Sequence, residues 1–211
     1  MSLPKPAKLI ISMFTSDKNL FDLYKEKLIK RFGEVDIESN AQPFNFTDYY
    51  EEEFGKKLMQ KLFSFSTLIR QDELAEIKII TNDLESNFGK ENIKKNMPCH
   101  KRKINLDPGY ITLDKYILAS TKNGPSRIYL NQGIYAEITL RFINKSFVTC
   151  EYTYPNYKTD KYIFFLNSVR QKYKLQLRDK LVVSEWSLVK EDTARRASTK
   201  TGITEKEIPI Q

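Results

Sequence analysis

Hydrophobic and polar positions at the start of the chain predict a strand, a helix and a second strand. The apolar run over residues 9–13 is typical of a buried strand. Apolar residues then recur at helical spacing between residues 21 and 32, and Gly33 supplies a helix stop. Val35 and Ile37 alternate with polar residues, which indicates a short strand. The pattern of this opening segment is therefore strand–helix–strand.

A second strand and helix follow, and after them the pattern changes to strands. Residues 58–65 predict a strand, and Ile77, Leu84 and Phe88 share one face of a helix that Gly89 is expected to end. Asp107-Pro108-Gly109-Tyr110 predicts a type II turn, because proline sets φ at its second position and glycine allows positive φ at its third.

The clearest strand pattern lies in the second half of the chain. Residues 116–119 and 127–130 predict strands, and residues 134–142 alternate between apolar and polar side chains. The same alternation places Ile138 and Leu140 on one apolar face. Asn144-Lys145 would turn the chain into a returning strand. A last amphipathic helix is expected from about residue 160.

Together these elements predict an α+β fold. We expect a mostly antiparallel or mixed sheet with about three helices packed on one side, built on a ferredoxin-like core with an added β-hairpin. Residues 1–177 are expected to form a single domain. Residues 178–211 have weak periodicity, which predicts a C-terminal extension that is weakly ordered or docked.

Charge adds an expectation about partners. The 211 residues include 35 Lys and Arg against 27 Asp and Glu, a net charge of +8, which favours an anionic partner. The basic loop, residues 90–103, holds six basic residues against one acidic residue. That loop, with the basic residues of the last helix, would suit the phosphates of RNA or DNA.

Several classes of protein are excluded or made improbable by residues that the chain lacks. Cys99, Cys150 and His100 are the only cysteines and histidine, so we expect neither zinc nor haem. The sequence has no phosphate-binding GxxxxGK[ST] or GxGxxG motif. It also has no apolar run of about 18 residues and no apolar signal-peptide core, so we expect a cytoplasmic protein without a membrane partner.

Polar side chains on several predicted strands are candidates for a site. Because side chains alternate along a strand, each strand presents a polar face, and these faces converge if the strands are neighbours. The residues on them are Asn105, Asp107, Arg127, Tyr129, Tyr135 and Glu137.

Two kinds of chemistry suit these residues. Carboxylate oxygens of Asp107 and Glu137, joined by Asp48, would hold a divalent cation such as Mg²⁺. Lys122 and Arg127 would bind a phosphate, because a guanidinium group matches its geometry. Under the alternative interpretation, the same sheet face is solvated or closed by salt bridges.

Seven strings of sequence together carry a resemblance. They are FNFTDYYE at 44–51, TNDLE at 81–85, RKINLDPGY at 102–110, LASTK at 118–122, RIYL at 127–130, GIYAE at 133–137 and TYPNY at 153–157. The chain resembles, over residues 7–177, the prokaryotic family catalogued as domain of unknown function 4416. The resemblance implies no particular activity. Its strings include the polar candidates already named, and this favours a real site over a merely solvated face.

The best hypothesis is that the chain binds a phosphorylated small molecule or nucleotide, with a divalent cation, at the polar sheet face. The expected phosphate ligands are Arg102, Asn105, Lys122, Arg127 and Tyr129. Whether the protein is an enzyme is left open. One alternative is a non-enzymatic RNA- or DNA-binding module that uses the basic loop, and a second is a structural or interaction protein without a ligand.

Overall fold

The computed structural model describes residues 3–46, 51–54, 57–92 and 102–179, and within them nine strands form one antiparallel sheet. The strands are β1 (Ala7–Thr15), β2 (Val35–Glu38), β3 (Gln42–Pro43), β4 (Met59–Ile69), β5 (Asn105–Ile111), β6 (Lys115–Ser120), β7 (Arg127–Asn131), β8 (Ile134–Ile143) and β9 (Ser146–Thr149). The helices are α1 (Asn19–Phe32), the short α2 (Glu51–Phe54), α3 (Leu74–Asn92) and α4 (160–179).

The first half of the sheet has the ferredoxin-like arrangement that the sequence predicts. Its strand order is β2-β4-β1-β5, and every neighbouring pair is antiparallel. α1 connects β1 to β2 and α3 connects β4 to β5, which makes a β-α-β-β-α-β unit. The sheet continues through β6, β8 and β7, while β3 pairs with β4 and β9 pairs with β8. The α+β fold with an added hairpin is therefore confirmed.

The main core lies between one face of the sheet and the helices α1 and α3. Leu9, Ile11 and Met13 alternate along β1 toward this face, where they meet Tyr24 and Leu28 of α1. All five side chains are fully buried, and burying an aliphatic side chain contributes roughly 1.5–3 kcal/mol. The apolar periodicity of the opening segment therefore predicted both the strand and the helix face that covers it.

Gly33 ends α1, as the sequence predicts. Its φ is 87°, in the region that favours glycine, and its backbone N–H donates to the carbonyl of Ile29 at 3.0 Å. A Cβ at this position would lie 2.4 Å from the hydroxyl oxygen of Thr67 on β4. Glycine is needed both for the turn and for the close approach of the sheet.

Residues 160–170 of α4 lie against the opposite face of the sheet. The ring of Tyr162 is 6.4 Å from that of Tyr116 on β6, and Arg170 Nε donates to the carbonyl of Leu113 at 2.8 Å. The Arg170 guanidinium also lies over the ring of Phe142, 3.4 Å from its centroid. α1 and α3 thus share one face of the sheet, and the beginning of α4 lies on the other, so the expectation of about three helices on one side is wrong for α4.

The turn predicted at residues 107–110 is wrong, because these residues lie within strand β5. Gly109 is instead required by close packing: a Cβ there would lie 2.5 Å from the carbonyl oxygen of Ile117 and 2.9 Å from the Tyr116 hydroxyl. Glycine inside a strand often marks such an approach. The predicted turn at Asn144-Lys145 is confirmed, since both residues have positive φ and join β8 to β9.

A bulge in β8 changes which side chains share a face. Ile117 pairs with Ile138, whereas the adjacent Tyr116 pairs with Leu140, so Thr139 is the extra residue. Ile138 and Leu140 therefore lie on opposite faces, contrary to the simple alternation expected from the sequence.

The contacts between Cα atoms divide the chain into two compact units, Met1–Arg170 and Gln171–Gln211. Of the second unit, residues 171–179 are described, and they form the end of α4. The domain boundary expected at residue 178 stays a prediction, and most of the expected extension lies outside the described residues. In the part of the chain that is described, no helix is long and apolar enough to cross a membrane.

Candidate functional site

The sheet forks between β5 and β6. These strands pair only from Gly109 to Ile111, and the ladder stops where Pro108 would have to supply the next N–H toward β6. Asn105, Leu106 and Asp107 therefore pair with β1 on one side and leave their other edge without a strand. The fork opens a cleft in the sheet.

Helix α3 supplies hydrogen-bonding groups to that open edge. Lys78 Nζ donates to the carbonyl of Leu106 at 2.9 Å, and the N–H of Leu106 donates to Glu85 Oε1 at 2.6 Å. Lys78 and Glu85 are seven residues apart, which places them two turns apart on one helix face. Lys78 and Glu85 thus make the two hydrogen bonds to the Leu106 backbone that a neighbouring strand would otherwise make. Lys78 also lines the cleft.

The fork cleft, which we define by its cationic lining residues Lys78, Arg102, Lys122 and Arg127, has a volume of about 200 Å³. Of the candidates predicted from the sequence, five line it: Arg102, Asn105, Asp107, Lys122 and Arg127. The convergence expected of separate strands is observed for Asn105 and Asp107 of β5 and for Arg127 of β7, while Arg102 precedes β5 and Lys122 follows β6.

Two other predicted residues lie outside the cleft lining, and a third is not among the described residues. Glu137 is buried on β8 beside Arg127, outside the cleft lining. Tyr129 is 57% exposed, packs against the ring of Tyr135 and does not line the cleft. Asp48 lies outside the described residues.

Arg127 is held in a defined orientation at one end of the cleft. Its Nε donates to Glu137 Oε2 at 3.0 Å, and its Nη1 donates to Ser120 Oγ at 2.9 Å and to the carbonyl of Lys122 at 2.8 Å. Its Nη2 group makes no hydrogen bond within the part of the chain that is described. The guanidinium therefore has a pre-oriented donor left for a ligand.

Ser120 adds a second donor at the same end. Its Oγ accepts hydrogen bonds from Arg127 Nη1 and, at 3.1 Å, from the backbone N–H of Lys122. A hydroxyl that already accepts two hydrogen bonds still has its own proton to donate. Ser120, Lys122 and Arg127 thus bring a hydroxyl, an ammonium and a guanidinium group to one subsite, which we call the cationic end of the cleft.

Asp107 lines the cleft as a carboxylate that pairs with a cation and an amide. Asp107 Oδ1 accepts from Lys78 Nζ at 3.2 Å, and Asp107 Oδ2 accepts from Asn105 Nδ2 at 2.7 Å. The Asp107 side chain remains 26% exposed, so its other lone pairs face the opening. This carboxylate can accept a hydrogen bond or contribute an oxygen ligand.

Arg102 sits at the edge of the cleft between two acids. It makes paired hydrogen bonds to Glu53 at 2.6 and 2.8 Å and a third to Glu85 at 2.7 Å. The hydrogen bonds to Glu53 raise the pKa of Arg102 above its usual range, while burial raises the pKa of Glu85 despite Lys78 and Arg102 nearby. Arg102, at the C-terminal end of the basic loop, thus contacts two glutamates of this chain. Residues 93–101 of the loop lie outside the described residues.

Acidic residues are not gathered into a cation-binding cluster in the described ranges. No group of three or more Asp, Glu, His or Cys side chains able to hold a metal ion occurs there. Glu137 already accepts hydrogen bonds from Arg127 and Ser126. Of the three predicted metal ligands, Asp107 alone is both described and open to the cleft.

Several lining residues were not singled out from the sequence. They are Lys78 and Asn82 on α3, Ser120 on β6, and Asn156 after β9. Periodicity drew attention to the apolar stripe of α3 and so passed over Lys78. Three of these residues lie in the TNDLE, LASTK and TYPNY strings already noted for the resemblance, so those strings held the missing signal.

The sequence profile of the family described as Domain of unknown function (DUF4416) matches residues 5–173. The chain belongs to this family. The DUF4416 match covers the whole ferredoxin-like unit and every lining residue of the fork cleft named above. No curated protein matches the chain.

Proposed function

We propose that this DUF4416 protein binds a small molecule carrying a phosphate group in the fork cleft. The observation that carries the proposal is the cationic end, where Ser120, Lys122 and Arg127 bring three different donors together. Arg127 is oriented by the buried Glu137 and keeps Nη2 for a ligand. Pre-oriented charged donors of this kind are well matched to phosphate oxygens.

The charge balance of the lining supports an anion. Among the described residues, four cationic side chains, Lys78, Arg102, Lys122 and Arg127, and one carboxylate, that of Asp107, line the cleft. Glu53, Glu85 and Glu137 pair with the two arginines from outside the lining. Their carboxylates limit the net charge but orient the guanidinium groups, so a phosphate would meet donors that need little rearrangement.

A divalent cation is a further part of the proposal. Mg²⁺ is commonly bound through one or two carboxylates together with phosphate oxygens and water. Asp107, with lone pairs open to the cleft, is the residue we expect to contact such a cation when a phosphorylated ligand is present. A cytoplasmic location, expected from the sequence, also belongs to this proposal and is tested by cell fractionation.

Thermal-shift measurements test binding. Sodium phosphate and ribose 5-phosphate are compared with sodium chloride at matched ionic strength, with and without MgCl₂. We expect both phosphates to raise the melting temperature through preferential binding to the folded state.

Lys122→Gln should reduce the shift, because it removes one cation from the cationic end. Lys30→Gln is the matched control: it makes the same charge change at an exposed position of α1, which contributes no residue to the cleft lining, and should leave the shift unchanged. Equal loss in both variants, or no shift in the wild type, would contradict the proposal.

A further inference from the structure

The lining of the fork cleft also includes aromatic rings. Phe14 and Phe44 stack in parallel with ring centroids 4.8 Å apart, and Phe46 meets Phe44 edge to face at 5.7 Å. Phe14 and Phe44 are buried, whereas Phe46 is 37% exposed and Tyr154 is 58% exposed. All four line the cleft. Phe46 and Tyr154 therefore leave apolar ring surface open beside a polar site.

Amide side chains accompany these rings. Asn105 and Asn156 line the cleft and are each only 6% exposed. In the described part of the chain, the Asn156 amide group makes no hydrogen bond, and Asn105 uses its Nδ2 but not its Oδ1. Within the described residues, the buried side-chain atoms without a partner are the Tyr116 and Tyr162 hydroxyls, so the unused amide atoms of Asn105 and Asn156 are open to solvent and available to a ligand. Asn82 adds a third amide to the same lining.

We infer that these aromatic and amide side chains of the lining hold a planar heteroaromatic ring, so that the ligand is a nucleoside monophosphate. The inference rests on the proposed function, which assigns the phosphate to Ser120, Lys122 and Arg127. Rings that face a cleft stack on planar groups, and asparagine amides pair with the donor and acceptor edges of a nucleobase. A sugar phosphate alone would leave both the exposed rings and the amides without a partner.

Isothermal titration calorimetry on the full chain distinguishes binding of the phosphate from binding of the ring. The probes are ribose 5-phosphate and the four nucleosides' 5′-monophosphates, AMP, GMP, CMP and UMP. We expect the tightest of the four to bind at least fivefold more strongly than ribose 5-phosphate. Phe46→Ala should weaken that nucleotide about tenfold, in line with the effect of removing an aromatic platform, and leave ribose 5-phosphate unchanged.

Phe164→Ala is the matched control. Phe164 is 74% exposed on the described part of α4 and does not line the fork cleft, so this variant should bind every probe as the wild type does.

The possible failures are distinguishable. If ribose 5-phosphate binds and every nucleotide stays within fivefold of it, the ring site is overturned and the proposed function survives. Unchanged nucleotide affinity in Phe46→Ala, with the fold intact by circular dichroism, also overturns the ring site. If neither ribose 5-phosphate nor any nucleotide binds the wild type, the proposed function fails together with the inference.

Discussion

Glu85 of α3 accepts a hydrogen bond from the backbone N–H of Leu106 on β5, with 2.6 Å between Oε1 and N. The bond joins α3 to the edge of β5 that has no strand partner, because the pairing between β5 and β6 stops at Pro108. Glu85 also accepts from Arg102 Nη1 at 2.7 Å through its other oxygen. The buried carboxylate of Glu85 therefore satisfies the backbone at the unpaired edge of β5 and orients the Arg102 guanidinium at the edge of the cleft.

Glu85→Ala should lower the unfolding free energy by roughly 1–3 kcal/mol, because it leaves the Leu106 N–H without an acceptor. Glu85→Gln keeps an acceptor and should cost less. Urea unfolding of both variants at pH 7 provides the comparison. A larger loss in Glu85→Gln than in Glu85→Ala would contradict this account of the fork.

The same glutamate predicts a pH dependence. Burial raises its pKa above the ordinary value of 4.5, so the folded state holds the proton more tightly than the unfolded state does. Its contribution to stability is then full below pH 4.5 and is lost as the pH rises through the folded-state pKa. The stability of wild type relative to Glu85→Gln should therefore decrease between pH 4.5 and 7, and an increase over that range would refute the assignment.

Gly109→Ala should destabilise the fold by roughly 1–3 kcal/mol, the usual cost of overpacking. The added Cβ would lie 2.5 Å from the Ile117 carbonyl oxygen, which is backbone of a paired strand and cannot rotate away. Gly124→Ala is the matched control, because the nearest atom to its Cβ would be 3.6 Å away, on Arg127. Thermal unfolding that shows equal losses in the two variants would argue against the packing at Gly109.

Tyr162→Phe and Tyr116→Phe should leave stability unchanged or raise it. Within the described residues neither buried hydroxyl has a hydrogen-bond partner of good geometry, although the two hydroxyls interact with each other, so removing either oxygen mainly relieves a desolvation cost. Tyr24→Phe is the contrasting variant, since the Tyr24 hydroxyl donates to the Leu84 carbonyl at 3.1 Å and its removal should cost about 1 kcal/mol. A loss of that size in Tyr162→Phe would mean that its hydroxyl does have a partner.

Arg127 and Glu137 should show a measurable coupling. Their side chains are 17% and 7% exposed, and a double-mutant cycle to alanine should give about 1–3 kcal/mol. The more exposed pair Lys25 and Glu38 should give no more than about 1 kcal/mol in the same experiment. A weaker coupling for Arg127 and Glu137 than for this control would remove the argument that Glu137 orients the phosphate donor.

Much of the fold follows from periodicity, because the spacing of apolar residues along a strand or a helix can be read from the local sequence. The β1 pattern and the α1 stripe predicted the core between them. The β-bulge at Thr139 could not be found this way, because it depends on how β8 pairs with β6. Pro108 and Gly109 were misread as a turn for the same reason: each acts through the neighbouring strand.

The sequence identified several polar residues that line the fork cleft, and the roles assigned to them stay predictions. Period-two alternation placed Asn105 and Asp107 together, and the convergence with Arg127 depended on the strand order that the sheet supplies. Lys78 was missed because its hydrogen bond to Leu106 depends on an unpaired edge of β5, which no local sequence pattern predicts. Glu137 was expected to bind a metal, yet its contacts in the fold are to Arg127 and Ser126.

The most direct test of the central claim is a ¹H–¹⁵N NMR titration of the full chain with ribose 5-phosphate, because it detects weak binding and locates it. The account predicts that the largest amide shifts fall at residues 105–107, 118–122 and 127, around the fork cleft. They should be reduced in Lys122→Gln and unchanged in Lys30→Gln. No shifts at millimolar ligand, or shifts centred on α1, would contradict the claim that the fork cleft binds phosphate.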